Sequence, residues 1–150
     1  MFCSGCAKMP KCEFCQNSKA WDFNYGQPFT EKTKYEVMEA LSKPYILGLS
    51  LLGGEVTDNL KDGIIFDLLG SVKKVYPNKT IWAWTGYRFE DLTNELHRNF
   101  LKYLDVLIDG EFVYKQKNLN RAWANSDNQR IIDVQKTLKE KKICLWDCSS

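Results

Sequence analysis

The feature that most constrains the fold of this sequence is an alternation of short apolar runs with longer stretches of helical periodicity. "PYILGLSLLGG", which ends at Gly53 and Gly54, predicts a short buried strand. "TIWAW" (Thr80–Trp84) and "DVLID" (Asp105–Asp109) predict two more strands. Since helical stretches separate these strands, the β-α-β-α-β order predicts parallel strands joined by right-handed crossovers, and therefore an α/β fold.

Three helices are predicted around these strands. Thr30 is a suitable N-cap for a helix that reaches about Ser42, and "FEDLTNELHRNFLKYL" predicts the third helix. Residues 110–129 are predicted as loop, and "QRIIDV" and "KICLW" as final strands with a short helix between them. The second helix, in "DGIIFDLLGSVKKVY", is predicted to place six apolar residues on one stripe: Ile64, Ile65, Leu68, Leu69, Val72 and Val75.

Length and composition narrow the class of protein. The 150 residues, of which 44% are hydrophobic, suit a single domain spanning residues 1–150. The net charge of +2, without a basic stripe, argues against a nucleic-acid partner. No apolar run approaches the ~20 residues of a membrane span, and the N-terminus shows no signal-peptide pattern. We therefore expect a cytoplasmic protein without a membrane partner.

Four of the six cysteines, Cys3, Cys6, Cys12 and Cys15, lie within the first fifteen residues. In a reducing compartment, such clusters are more often metal ligands or redox groups than disulfides. The spacing C-x2-C-x5-C-x2-C suits a four-cysteine zinc site as well as an iron–sulfur site. A thioredoxin-like redox pair is less favoured, because loop is predicted on both sides of the C-x-x-C. Cys144 and Cys148 form a separate pair with a weak signal for binding.

Three predicted strand-end loops carry unusual residues: Gly53-Gly54-Glu55, Thr85-Gly86-Tyr87 and Asp109-Gly110. The carboxyl ends of parallel strands lie on one side of an α/β fold, where binding and catalytic sites form. We therefore expect these loops to meet in a functional site.

An ordered set of motifs runs through almost the whole chain, from about Ser4 to Trp146. In this order, the set resembles the activating proteins of anaerobic ribonucleotide reductase, a family of radical S-adenosylmethionine enzymes. Single motifs are weak signals, whereas the ordered set is specific. Its members are "SGC", "CEFCQN", "WDFNYGQPFT", "LSLLGGE", "IWAWTGY", "DVLIDGEF" and "NQRIIDV".

The resemblance implies an open, partial (β/α) barrel of the radical S-adenosylmethionine type that carries a [4Fe-4S] cluster. It implies reductive cleavage of S-adenosylmethionine to a 5′-deoxyadenosyl radical, which generates a glycyl radical on the large subunit of anaerobic ribonucleotide reductase. A reductant such as flavodoxin would supply the electron. Two alternatives stay open: a non-catalytic zinc-binding domain that uses the four N-terminal cysteines, and an activase of another glycyl-radical enzyme.

The resemblance also implies the site residues. The cluster ligands would be Cys6, Cys12 and Cys15. The contacts to S-adenosylmethionine would come from two short segments. In the first segment, the residues facing the nucleoside would be Phe14, Cys15 and Gln16. In the second, Gly53 and Gly54 would let the backbone approach the ligand closely, and Glu55 would accept a charge-assisted hydrogen bond from the methionine ammonium.

Residues on the other strand ends have two open interpretations. Thr85 and Tyr87 could contact the ligand or the reductase, or serve the scaffold. Asn128, Gln129 and Arg130 could form a partner interface or make structural hydrogen bonds. The reductase contact surface is expected to include Tyr87, Arg88 and Arg130. We interpret His97 as a surface or packing residue.

The sequence departs from the family in three places. Cys6 and Cys12 enclose five residues where the family has three, which leaves room for Cys3 to join or replace Cys6. The chain begins about where the family's first strand ends, which leaves open whether the barrel lacks its first strand. Val56 follows Glu55 where the family usually has proline.

Overall fold

The computed structural model describes residues 1–147, and its centre is a mixed sheet of five strands in the order β1-β2-β3-β4-β5. Strands β1 to β4 are parallel, and β5 runs antiparallel to β4. The strands are β1 (Phe2–Cys3), β2 (Gly48–Gly53), β3 (Thr80–Trp84), β4 (Val106–Asp109) and β5 (Arg130–Asp133).

The α/β class and the parallel order of the three central strands are confirmed. Strand β3 has the predicted bounds, and a two-residue β1 pairs with the end of β2. The antiparallel direction of β5 was not predicted. The segment "KICLW" is not a strand, since only Leu145 forms a bridge, to Ile132.

Four α-helices accompany the sheet: α1 (Glu31–Ser42), α2 (Ile64–Val75), α3 (Glu95–Leu101) and α4 (Val134–Glu140). The predicted N-cap of α1 is confirmed, because the Thr30 hydroxyl accepts a hydrogen bond from the Thr33 backbone N–H and the Thr33 hydroxyl accepts one from Thr30. The predicted third helix is shorter than expected. Its first part is a separate 3₁₀ turn, and the Asn94 side chain caps α3 by accepting from the His97 backbone N–H at 2.8 Å.

All four helices pack on one face of the sheet. Leu51, Ala83 and Leu107 of three neighbouring strands point to this face and join one core with side chains of every helix. On α2 the central four residues of the predicted stripe are buried, whereas Ile64 and Val75 at its two ends are 37% and 55% exposed. The stripe was therefore predicted too long by one residue at each end.

The opposite face of the sheet is covered by chain that has little regular structure. Val106, Ile108 and Ile131 lie there beneath Ala124, together with the rings of three tryptophans, Trp82, Trp84 and Trp146. Residues 110–129, predicted as loop, contain one short 3₁₀ turn (Tyr114–Gln116) and fold back over this face. In residues 1–147, no helix is both long and apolar enough to cross a membrane.

An ion triad fastens β5 to β4 and to the turn after β3. Arg130 donates to both oxygens of Asp109, with its Nε 3.0 Å from Oδ1, and to both oxygens of Glu90 at 2.9 and 2.6 Å. The Asp109 side chain is 1% exposed and also accepts from the Phe89 backbone N–H. The hydrogen bond from Arg130 holds the pKa of Glu90 down at about 2. The positive charge of Arg130 also neutralises the buried carboxylate of Asp109.

We predict that Arg130→Gln lowers the free energy of unfolding by about 3 kcal/mol, because it leaves the buried Asp109 carboxylate without its counter-charge. The matched control is Arg88→Gln. Its side chain is 66% exposed, and its ion pair with Glu90 is long, at 3.9 Å. The free energy of unfolding is therefore expected to change by no more than about 0.5 kcal/mol. Urea denaturation of both variants under reducing conditions measures the difference. Equal effects of the two substitutions would contradict the structural role of Arg130.

Candidate functional site

The predicted meeting of the three strand-end loops is confirmed. Glu55 lies two residues beyond β2 and is 2% exposed. Its Oε2 accepts from the Gly86 backbone N–H at 2.7 Å, and its Oε1 accepts from the Thr57 hydroxyl at 2.7 Å. The third loop joins through the Gly110 N–H, which donates to the Tyr87 carbonyl at 2.9 Å. Glu55 is thus the junction between the ends of β2 and β3.

Burial and hydrogen bonding act on Glu55 in opposite directions. Burial raises the pKa of its carboxyl, whereas hydrogen bonds from Gly86, Thr57 and Thr85 act to lower it. The carboxylate is therefore enclosed and supplied with several donors by the protein itself. The predicted contact between Glu55 and a ligand ammonium stays a prediction.

Gly53 and Gly54 permit a close approach of backbone, but the approaching backbone is the chain's own N-terminal segment, and the predicted close approach to a ligand stays a prediction. At Gly53, whose φ is +130°, a β-carbon would lie 2.0 Å from the Cys3 carbonyl oxygen. At Gly54 it would lie 2.4 Å from the carbonyl oxygens of Gly5 and Ala20. The two glycines therefore let the N-terminal segment lie directly on the end of β2, where the Gly54 N–H donates to Cys3 at 2.8 Å.

A cavity of about 230 Å³ opens at these strand ends. It brings together four of the predicted ligand-contact residues, Cys15, Gln16, Gly53 and Gly54. The other lining residues combine apolar side chains with polar groups, as ligand sites commonly do. They include Phe2, Trp84, Phe112, Thr85, Asn125 and Gln129.

Phe14 and Glu55 do not line this cavity. The Phe14 ring is 65% exposed and rests on Tyr114, with the ring centroids 4.6 Å apart. The Phe14 backbone has a positive φ of 53°, which turns the chain sharply just before Cys15. The predicted contact of Phe14 with a nucleoside stays a prediction.

All four N-terminal cysteines are free and partly exposed. Burial raises the pKa of the Cys3 thiol to about 11, and it also raises the pKa of Cys6 and Cys12. Within residues 1–147, no three Cys, His, Asp or Glu side chains are grouped closely enough to hold a metal ion. The thiols are therefore available as ligands, but they are not assembled into a ligand set.

The chemistry of the thiols still suits an iron–sulfur cluster. Cys6, Cys12 and Cys15 are unpaired sulfur donors on one loop, and Cys15 also borders the cavity. Cys3 differs from them because its backbone is fixed in β1, opposite Gly53. A rearrangement within the loop could bring the thiols of Cys6, Cys12 and Cys15 together, whereas Cys3 is held in the sheet.

The remaining sequence candidates have structural partners. The Gln129 side chain accepts from the backbone N–H groups of Asn125 and Ser126, and Asn128 donates to the Glu111 carbonyl. The structural interpretation of residues 128–130 is therefore supported by their contacts. Thr85 is buried and accepts from the Tyr87 N–H at 3.1 Å.

His97 and Cys144 do not line the cavity at the strand ends. His97 is partly buried on α3, in keeping with a packing role, and its Nδ1 has no hydrogen-bond partner. Cys144 is buried beside Thr137, whose hydroxyl accepts from its N–H at 2.9 Å. Cys148 lies outside the described residues.

Two contact residues near the site were missed in the sequence. Asp58 accepts from the Ala7 backbone N–H at 2.7 Å and from the Tyr87 hydroxyl at 3.2 Å. Lys8 pairs with Glu111, with 2.7 Å between Nζ and Oε2. Neither residue belongs to a recognisable motif, and their partners lie 51 and 103 residues away in the chain. No local pattern could have identified them.

Comparison with known proteins gives a consistent result. Residues 1–132 match a family described as a 4Fe-4S single cluster domain. The anaerobic ribonucleoside-triphosphate reductase-activating protein of Enterobacteria phage T4 is 43% identical over 133 residues, which cover 87% of this chain and 80% of that protein. The proteins of the same name from Haemophilus influenzae and Escherichia coli K12 are 35% and 34% identical. Their matches cover 87% and 86% of this chain and 84% and 83% of those proteins.

No solved structure was found to match the chain significantly. The family match includes the four N-terminal cysteines and the three strand-end loops and ends within β5, and the relatives agree with the resemblance seen in the ordered motifs. The chain therefore belongs to the family of anaerobic ribonucleoside-triphosphate reductase-activating proteins, and its residues 1–132 form a 4Fe-4S single cluster domain by the family match.

Proposed function

We propose that this chain is a radical S-adenosylmethionine activase that generates the glycyl radical of anaerobic ribonucleotide reductase. The observation that carries the proposal is the position of the cysteine-bearing segment beside a strand-end cavity that includes Cys15, Gln16, Gly53 and Gly54. The names of the relatives and the 4Fe-4S family match support the same reaction.

We further propose that residues 1–150 form one radical S-adenosylmethionine domain, an open partial (β/α) barrel. Four parallel strands follow one another in chain order, and all four helices lie on one face of the sheet. This is the arrangement expected of part of a (β/α) barrel, in which helices cover the outside and loops at the carboxyl ends of the strands form the site.

In this proposal Cys6, Cys12 and Cys15 hold the [4Fe-4S] cluster. Three protein ligands for four iron atoms leave one iron free to engage a substrate, as open positions do at other catalytic metals. When bound, the cluster would supply the electron for cleavage of S-adenosylmethionine to methionine and a 5′-deoxyadenosyl radical, which would take a hydrogen atom from a glycine of the reductase and become 5′-deoxyadenosine.

The chain's own residues bind and orient S-adenosylmethionine. Cys15 and Gln16 line the cavity and would contact the nucleoside, and Gly53 and Gly54 line the same cavity and would let the backbone approach the ligand. Phe14 would reach the nucleoside by leaving its exposed position on Tyr114. Glu55 would offer its carboxylate to the methionine ammonium by exchanging one of its present donors, such as the Gly86 N–H.

The substrate of the radical would be the large subunit of anaerobic ribonucleotide reductase. The cavity is open to solvent, and a partner loop that carries the glycine would exclude water while supplying the hydrogen atom. Arg88 is 66% exposed beside the site and suits the contact surface, whereas Arg130 is held by Asp109 and Glu90. A cytoplasmic reductant such as flavodoxin would supply the electron.

We predict that Cys6→Ala, Cys12→Ala and Cys15→Ala each lose most of their iron after anaerobic reconstitution, because each removes one of three thiolate ligands. Cys3→Ala is the matched control and should bind the parent amount, since Cys3 is fixed in β1. Iron and sulfide analysis with visible spectroscopy measures the result. Loss of the cluster in Cys3→Ala with retention in Cys6→Ala would reverse the assignment, and zinc held by four thiolates would contradict a radical enzyme.

We predict that Glu55→Gln weakens binding of S-adenosylmethionine by about 1.5–3 kcal/mol, the size of a hydrogen bond to a charged group. Glutamine keeps the size of the side chain and can still accept from Gly86, so the cluster content should stay unchanged. Calorimetry on the reconstituted variants measures the affinity. Glu36→Gln on the exposed face of α1 is the control. An affinity for Glu55→Gln equal to that of the control would reject the proposed ligand contact.

We predict that anaerobic mixing of the reduced, reconstituted protein with S-adenosylmethionine and the reductase large subunit produces a glycyl radical, seen as a doublet by electron paramagnetic resonance. The signal should be absent without S-adenosylmethionine and in Cys12→Ala. Formation of deoxyadenosine without a radical on the reductase would point instead to another glycyl-radical enzyme as the partner. Absence of both products would reject the reaction.

A further inference from the structure

A groove of about 430 Å³ lies on the helical side of the molecule, between the 3₁₀ turn Phe89–Asp91, α3 and the end of α4. Its floor is apolar and closed, because Leu92 and Leu101 are 3% and 2% exposed. One apolar residue of its wall, Leu138 of α4, is instead 40% exposed. An exposed leucine above an apolar floor is a surface on which a partner can bury apolar side chains.

Hydrogen bonds hold the two walls of this groove in place. The Phe89 N–H donates to the Asp109 carboxylate at 2.8 Å, which fixes the 3₁₀ turn to the end of β4. On the other wall, the Thr137 hydroxyl accepts from the Cys144 N–H at 2.9 Å, and the Cys144 carbonyl accepts from Asp133 at 2.9 Å. Because the walls are already fixed, a partner segment can bind without ordering them first.

The charges around the groove are mainly positive. Its one acidic lining residue is Glu90, whose two carboxylate oxygens already accept from Arg130 at 2.9 and 2.6 Å. Three basic residues line it, namely Arg98, Lys141 and Lys142. Lys142 lies 3.4 Å from Glu140, whereas Arg98 and Lys141 form no ion pair within residues 1–147. Two cations of the groove are therefore available to carboxylates of a partner.

Lys141 has a backbone conformation that usually belongs to glycine. It ends α4 with φ of 54° and ψ of 30°, in the left-handed region. Glycine is common at such helix ends because a β-carbon is unfavourable in this conformation. A lysine therefore lowers the stability of the helix end, and it places a positive charge at the groove. Binding of an acidic partner gives a reason for a lysine at this position.

The groove adjoins the carboxyl ends of the strands. Arg130, the ion-pair partner of Glu90, lines a second strand-end cavity together with Arg88. Gly86 and Gly110 line both this cavity and the one that includes Cys15. A protein that covers the strand ends can therefore reach the groove across the ion pair of Glu90 with Arg130.

We propose that the groove is a docking surface for the reductase large subunit and takes an acidic segment of that protein. Apolar side chains of the segment pack against Leu138 and the apolar floor, and its carboxylates pair with Arg98 and Lys141. The proposal rests on the proposed function, because that function names the reductase as the partner. It involves no cluster, since the groove is formed by the 3₁₀ turn, α3, α4 and the residues just after α4.

Anaerobic calorimetry of the full chain with the reductase large subunit, at low and high salt, tests the docking surface. Leu138→Ser should weaken binding about tenfold at both salt concentrations, because it removes an apolar contact. Arg98→Gln and Lys141→Gly should each weaken binding about threefold at low salt and less at high salt, where charges are screened. The control is Lys139→Gln, which removes the same charge from the same helix but outside the groove and should bind like the parent.

Lys141→Gly also separates binding from folding. Glycine adopts the left-handed conformation without a β-carbon, so the variant should be at least as stable as the parent in urea denaturation while it binds the reductase more weakly. Lower stability together with parent-like binding would mean that the lysine serves the fold, and would overturn its role in docking.

The other outcomes distinguish the docking surface from the proposed function. Parent-like binding of all three groove variants would overturn the docking surface and leave the reductase as the partner. Weaker binding of Leu138→Ser alone would overturn the acidic character of the segment. A homodimer of the parent that Leu138→Ser dissociates would assign the groove to a second copy of this chain. A parent that does not bind the reductase would overturn the proposed partner and the docking surface together.

Discussion

A buried carboxylate holds the carboxyl ends of two neighbouring strands together, and the rest of the site is arranged around it. Isolating a charged carboxylate from water is unfavourable unless hydrogen bonds replace its hydration. Glu55 obtains them from Thr57 on its own loop and from Gly86 on the next one. Its backbone N–H donates to the Gly5 carbonyl at 2.7 Å, so the N-terminal segment is drawn into the same junction. One residue therefore determines how three separate parts of the chain meet.

The glycines before Glu55 are required by this junction. Any side chain at Gly53 or Gly54 would collide with the backbone of the N-terminal segment, and Gly53 also has a conformation that other residues rarely adopt. The cavity lies beside Gly53 and Gly54, and Cys15 of the N-terminal segment also lines it. The Gly-Gly-Glu sequence thus serves the folding of the site in addition to any contact it makes with a ligand.

Local patterns were sufficient to predict the elements of the fold, and distant contacts were not. Strand β3 was predicted residue for residue, because apolar and aromatic side chains within five residues indicate an extended, half-buried segment. The direction of β5 depends instead on how residues 110–129 cross the sheet. That path is held by contacts such as Gln129 to Gly110 and Arg121 to the Ser126 carbonyl, which have no sequence signature.

In the candidate site, too, residues with a local sequence pattern could be predicted and residues with distant partners could not. The cysteines and the Gly-Gly-Glu segment were identifiable because their residue types are unusual and closely spaced. Asp58 and Lys8 were not, because their side chains act on partners that are 51 and 103 residues away. Sequence reasoning also could not show that Glu55 is saturated with donors from its own chain, since burial and hydrogen bonding depend on the folded junction.

The length of the loop that carries the thiols, residues 6–15, links these observations. Compared with the spacing that the resemblance implies, the two further residues between Cys6 and Cys12 would add little to the entropy of closing the loop, but they would give its middle more conformations. Contacts at Ala7, Lys8 and Phe14 remove much of that freedom before any cluster binds. The rearrangement that the proposed cluster would require, bringing together the thiols of Cys6, Cys12 and Cys15, would then be local to a segment already fixed at its start, middle and end. A longer loop can in this way remain compatible with a cluster site, provided that the chain supplies its own attachment for the inserted residues.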